Sequence, residues 1–148
     1  MKEQLISLET AKIIKEKEFF EAVDVSYIEY LKTRKSDNPS FRMKKGEIEI
    51  EKGHFINNHP IVDYSNINYI MYAAPTQSFL QKWIREKHNI HIQIYVEHDD
   101  NIIWWDYNLF KIKKGYNFES INNIIIDNIC NSYEEALEMG LQESLKLI

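Results

Sequence analysis

From Ile90 to Glu97 the chain alternates Ile90, Ile92, Ile94 and Val96 with His91, Gln93, Tyr95 and Glu97. Successive side chains on a strand point to opposite faces, so this period of two predicts a strand with one apolar face. Asp99-Asp100-Asn101 follows as a hairpin turn. Residues 102–112 then return as a second strand, with Trp104 and Trp105 on opposite faces. A short third strand is expected at residues 124–126.

Helices are predicted on either side of this hairpin. Pro75 suits a first helical turn, with Thr76 as the alternative cap. Phe79, Leu80, Trp83 and Ile84 then make an apolar stripe, opposite a wet face of Gln77, Gln81, Lys82, Arg85 and Glu86. Asn89 is a suitable C-terminal stop. Ser132 and Glu135 have the spacing of a capping box before a last helix. In that helix Tyr133, Leu137, Leu141, Leu145 and Ile148 recur about every four residues, beside a stripe of small side chains, Ala136, Gly140 and Ser144. Gly140 costs roughly 1 kcal/mol of helix propensity relative to Ala, so a close approach to a neighbouring element is expected there.

The first half is less strongly patterned. Ser7 is a predicted N-cap for a short helix through Leu8, Ala11 and Ile14, ending near residues 17–19. Val23, Val25 and Tyr27 alternate with Asp24 and Ser26 as in a strand, although residues 20–31 could also continue the helix. Residues 32–46 read as irregular, and residues 47–51 as a short strand of alternating acid and Ile that Gly53 ends. Residues 54–72 carry loop formers, with 67–72 as a candidate extended run.

The expected fold is therefore α+β in a single domain over residues 1–148: a small antiparallel sheet packed by two or three helices. Residues 1–74 hold the N-terminal helix, strands and loop region, and residues 75–148 the helix-strand-strand-strand-helix unit. A chain of 148 residues with 44% apolar and 13% aromatic content can bury a core of its own. The lone cysteine, Cys130, excludes an internal disulfide and a Cys-rich zinc site. The opening Met1-Lys2-Glu3-Gln4 lacks the design of a signal peptide, and no apolar run reaches the ~20 residues of a membrane span, so a cytoplasmic location is expected.

Two blocks are familiar. The first is Ala74-Pro75-Thr76-Gln77-Ser78-Phe79-Leu80-Gln81-Lys82-Trp83-Ile84-Arg85-Glu86, running on into His88-Asn89-Ile90-His91-Ile92. The second is Tyr133-Glu134-Glu135-Ala136-Leu137-Glu138, with Gly140-Leu141 and Leu145-Lys146-Leu147-Ile148. With the weaker opening Ile6-Ser7-Leu8-Glu9-Thr10-Ala11-Lys12, they resemble a group of uncharacterised short proteins encoded by phages and prophages of gut bacteria. The likeness covers the second half and the N-terminal helix and hardly touches residues 32–72. It implies a viral accessory setting in the host cell cytosol and no particular chemistry.

Helix-strand-strand-strand-helix is also the order of a double-stranded-RNA-binding domain, which holds phosphates at a basic helix start. Here the last helix starts Tyr133-Glu134-Glu135, and residues 75–148 carry seven Lys or Arg against eleven Asp or Glu. With a net charge of −5 for the whole chain, nucleic acid is the less favoured partner. The one basic cluster is Lys32, Arg34, Lys35, Arg42, Lys44 and Lys45, beside Phe41 and a single acid, Asp37; it could hold a nucleotide or nucleic acid, or be a solvated loop.

No catalytic residue is expected. There is no glycine-rich phosphate loop, nucleophile elbow or HExxH. Cys130 precedes a helix start that would lower a thiol pKa, but a lone Cys beside an apolar strand is usually packed core. His88, His91 and His98 lie near Asp99 and Asp100 in sequence, yet His91 and His98 fall on opposite strand faces, so no metal or cofactor site is assigned. His54 and His59 have no fixed distance to them. The candidate binding residues are Trp104, Trp105, Tyr107 and Tyr95, as an aromatic patch left exposed if helices cover only one face of the sheet. The expected role is a non-catalytic module that binds a host or phage protein or pairs with itself.

Overall fold

A computed structural model describes residues 3–31, 44–56, 62–64, 67–113, 117–121 and 129–148. It has three helices and seven strands in two antiparallel sheets among the described residues, an α+β fold. The chain divides into two compact units, one Ser7–Pro75 and the other Met1–Ile6 with Thr76–Ile148.

In the first unit, helix α1 (Leu8–Glu16) is capped by Ser7, whose hydroxyl accepts from the Thr10 N–H at 3.2 Å. Thr10, Ala11 and Ile14 form its buried stripe. The chain leaves the helix through Glu18, which sits in the left-handed region at φ 55°. The sheet has the order β2 (Ile48–Ile56), β1 (Ala22–Tyr30), β4 (Ile67–Ala73), β3 (Val62–Tyr64). Residues 22–30 thus resolve as strand and not as continued helix. Gly53 does not end β2 as the sequence suggests. The register slips between Val23 and Val25, so that Gly53 and His54 together face Asp24, and the strand continues to Ile56. Lys44 to Glu47 close the turn into β2, with Gly46 at φ 82° and the Glu47 N–H donating to the Lys44 carbonyl at 3.0 Å.

The second unit begins with a short antiparallel bridge, Leu5 against Thr76, and the Gln77 N–H donates to the Gln4 carbonyl at 2.9 Å. Thr76, the alternative cap in the sequence, caps helix α2 (Gln77–His88), its hydroxyl accepting from the Phe79 N–H, and Pro75 lies before the helix. Asn89 closes it in the left-handed conformation at φ 57°. Strands β5 (Ile90–Asp99) and β6 (Ile102–Lys113) pair over ten positions, from Ile90 opposite Lys111 to Asp99 opposite Ile102, with no slip. The third strand is β7 (Asn117–Ser120), paired with the end of β6. The strand expected at residues 124–126 lies outside the described residues.

Helix α3 (Tyr133–Lys146) lies on this sheet. Ser132 accepts from the Glu135 N–H at 3.1 Å, as a capping box requires, but the Glu135 carboxylate reaches one residue further back, to the Asn131 N–H at 2.7 Å. Ala136, Gly140 and Ser144 are buried, and the Ser144 hydroxyl donates to the Gly140 carbonyl at 2.6 Å. Gln77, 4% exposed, ties α2 to α3 by donating to the Glu134 carbonyl at 3.0 Å and the Glu138 carboxylate at 2.9 Å. Leu80, Ile84, Ile90, Ile92, Tyr107, Leu109, Leu141 and Leu145 complete the core of the unit.

Candidate functional site

The β5–β6 register decides what each hairpin face carries. Ile90, Ile92, Ile94 and Val96 share a face with Leu109, Tyr107 and Trp105, since these are directly opposite pairs. This face lies under α3, where Gly140 abuts Ile92 and Tyr107. His91, Gln93, Tyr95 and Glu97 share the other face with Phe110, Asn108, Asp106 and Trp104. No residue of that second face is fully buried.

The four candidate aromatics therefore do not form one patch. Tyr107 is 4% exposed and belongs to the core. Trp105 is half-buried on the helix side, packed edge-on against Tyr133 with ring centroids 5.7 Å apart. Trp104 and Tyr95 remain together on the face opposite α3, both half-buried. Trp104 has no ring partner among the described residues.

Two acids complete their surroundings. Glu97 is directly opposite Trp104, and Asp106 directly opposite Tyr95. The Tyr95 hydroxyl donates to Asp106 Oδ2 at 3.1 Å, while Asp106 Oδ1 accepts from the Tyr107 N–H at 2.7 Å. Burial, this hydrogen bond and the nearby carboxylates push the Tyr95 hydroxyl up to about 12, so it remains a donor at neutral pH. Neither Glu97 nor Asp106 has a cationic partner among the described residues. The result is a square of two aromatics and two carboxylates. Neither acid is among the candidates read from the sequence, where the turn is given three residues. The observed two-residue connection, Asp100-Asn101, sets the register and with it every cross-strand neighbour.

The other candidates resolve as follows. Cys130 is fully buried, its Sγ 3.4 Å from Met139 Sδ and its backbone bridged to Trp105. Burial, with Glu135 and Asp106 nearby, pushes the thiol pKa up, opposite to the effect of a helix start. His88 packs edge-on against Trp83 at 4.7 Å, and burial lowers its pKa. With no slip in β5, His91 and His98 project from opposite faces. Among the described residues no three His, Cys, Asp or Glu side chains cluster as metal ligands. His59 and the side chain of His54 lie outside the described residues. So do Lys32, Arg34, Lys35 and Arg42 of the basic loop. Lys44 and Lys45 are exposed at the turn into β2, and the Lys44 N–H is held by the Glu47 carboxylate at 2.8 Å.

The chain matches no family model, no curated protein and no solved structure. Among the described residues, no helix is long and apolar enough to cross a membrane.

Proposed function

We propose that this chain is a phage-related accessory protein that acts in the host cytosol as a non-catalytic protein-binding module. Its contact surface is the face of the β5–β6 hairpin opposite α3, and its partner is a host or phage protein that presents a cationic side chain. The phage setting rests on the resemblance carried by residues 74–92 and 133–148. The binding role rests on one observation: Trp104, half-exposed and without a ring partner among the described residues, faces Glu97 across the strand pair with the Tyr95–Asp106 pair beside it.

An arginine fits this surface best. Its guanidinium can stack on an indole while donating to a carboxylate, and a cation over Trp contributes roughly 0.5–2 kcal/mol depending on desolvation. The net charge of −5 favours approach of a basic partner.

The test is a titration of the protein with a short arginine-bearing peptide and a neutral peptide of equal length, followed by tryptophan emission. The arginine peptide should bind at least tenfold tighter, and Trp104→Ala should remove that preference while the circular-dichroism spectrum is unchanged. Equal binding of the two peptides, or a preference that survives Trp104→Ala, would overturn the reading.

A further inference from the structure

Strand β5 is an edge strand, since the sheet order is β5-β6-β7. Its inward backbone groups are those of the odd-numbered residues. The Ile112 N–H donates to the Asn89 carbonyl at 3.1 Å, while Trp105, opposite Val96, turns its backbone away to Cys130. Ile92, Ile94, Val96 and His98 therefore direct their N–H and C=O groups out of the sheet. The Ile92 carbonyl is occupied by the Gln81 side-chain amide at 3.1 Å. Ile94, Val96 and His98 have no backbone partner on this edge among the described residues.

Natural edge strands are usually protected by charged side chains, lysine above all, by proline, by a bulge or by a covering element. From Gln93 to Asp99, β5 has no lysine, no proline and no register slip, its only acids are Glu97 and Asp99, and Val96 is 46% exposed. We propose that β5 pairs antiparallel with β5 of a second copy of this chain, about a two-fold axis at Val96.

Parity and charge select this register. Outward groups must meet outward groups, so even-numbered residues must face even-numbered residues. A two-fold at Glu97 would set Glu97 against Glu97, and one at His98 would set Glu97 against Asp99. Moving the axis to Ile94 would need the Ile92 carbonyl that Gln81 holds. An axis at Tyr95 leaves only Ile94 and Val96 to pair. With the axis at Val96, Val96 faces Val96, Ile94 faces His98, Tyr95 faces Glu97 and Gln93 faces Asp99. No acid faces an acid, and three hydrogen-bonded pairs give about six backbone bonds between the copies. The two three-stranded sheets become one of six strands. A two-fold perpendicular to the sheet puts the two faces opposite α3 on the same side.

This pairing stands independently of the cationic partner proposed above. Sedimentation of the full chain at about 100 µM should show a dimer, and Val96→Lys, which sets two like charges at the axis, should raise its dissociation constant at least tenfold. Val96→Cys should cross-link under mild oxidation, because directly opposite residues lie at disulfide-compatible Cα separations. Ile103→Cys, at a position 73% exposed but away from the axis, should cross-link at least tenfold more slowly. Circular dichroism checks that each variant folds. A monomeric wild type, a dimer indifferent to Val96→Lys, or equal cross-linking of the two cysteine variants would overturn the proposal.

Discussion

A methyl group built on Gly140 would lie 2.7 Å from Ile92 Cγ2 and 3.3 Å from the Tyr107 ring. Helix α3 is thus seated on the sheet through a glycine, and the contact sets how closely the two layers approach.

Gly140→Ala should therefore destabilise the protein despite alanine's better helix propensity. The propensity gain is about 1 kcal/mol, while overpacking costs typically 1–3 kcal/mol, and Ile92 Cγ2 is no flexible chain end that can swing aside. Urea unfolding should give a net loss of about 1 kcal/mol. Gly140→Ala combined with Ile92→Ala removes the obstructing atom, so the double variant should lose less than the sum of the two single changes.

Glu29 supplies an acid-sensitive element. The Tyr72 hydroxyl donates to its carboxylate at 2.9 Å and Lys12 lies 3.2 Å away, so the Tyr72 bond first and then Lys12 hold its pKa below the usual 4.5. A carboxylate lowered in the folded state contributes stability above its unfolded pKa and loses it as pH falls through the folded one. Tyr72→Phe should cost about 1 kcal/mol at pH 7. The gap to wild type should narrow below pH 4.5, as measured by urea midpoints at pH 7 and pH 3.

Glu18 adopts a left-handed conformation that costs a side chain about 1 kcal/mol or more. Glu18→Gly should relieve it and raise stability by about 0.5 kcal/mol after the greater chain entropy of glycine is subtracted. Gly46→Ala, at φ 82°, should have the opposite sign even though no atom lies within 4 Å of its added methyl.

The Cys130 thiol is buried with its pKa pushed up. Reaction with a thiol-specific disulfide reagent at pH 8 should be at least 100-fold slower in the native protein than in denaturant. Fast labelling of the native state would show that Cys130 reaches solvent.

Much of the local structure was legible because it is written in nearest neighbours. Ser7 and Ser132 announce two helix starts, Asn89 a helix end, and the alternation from Ile90 to Val96 a strand. The third strand at residues 117–120 and the continuation of β2 past Gly53 were not legible in this way. Each depends on which backbone groups find partners far away in the chain. The candidate site was legible only in part. Of the four candidate aromatics, Trp104 and Tyr95 share the face opposite α3, whereas Tyr107 and Trp105 lie on the α3 side, and Glu97 and Asp106 meet the first two through the cross-strand register.

What the sequence determined by itself is the amphipathic hairpin and the helices before and after it, because period and capping are local properties. What only the tertiary structure decided is which hairpin face the helices occupy and which residues meet across it. A connection of two residues in place of three moves every cross-strand partner by one. That single step sets Glu97 opposite Trp104 on the face away from α3, with Asp106 beside it along the strand, and sends Tyr107 beneath α3.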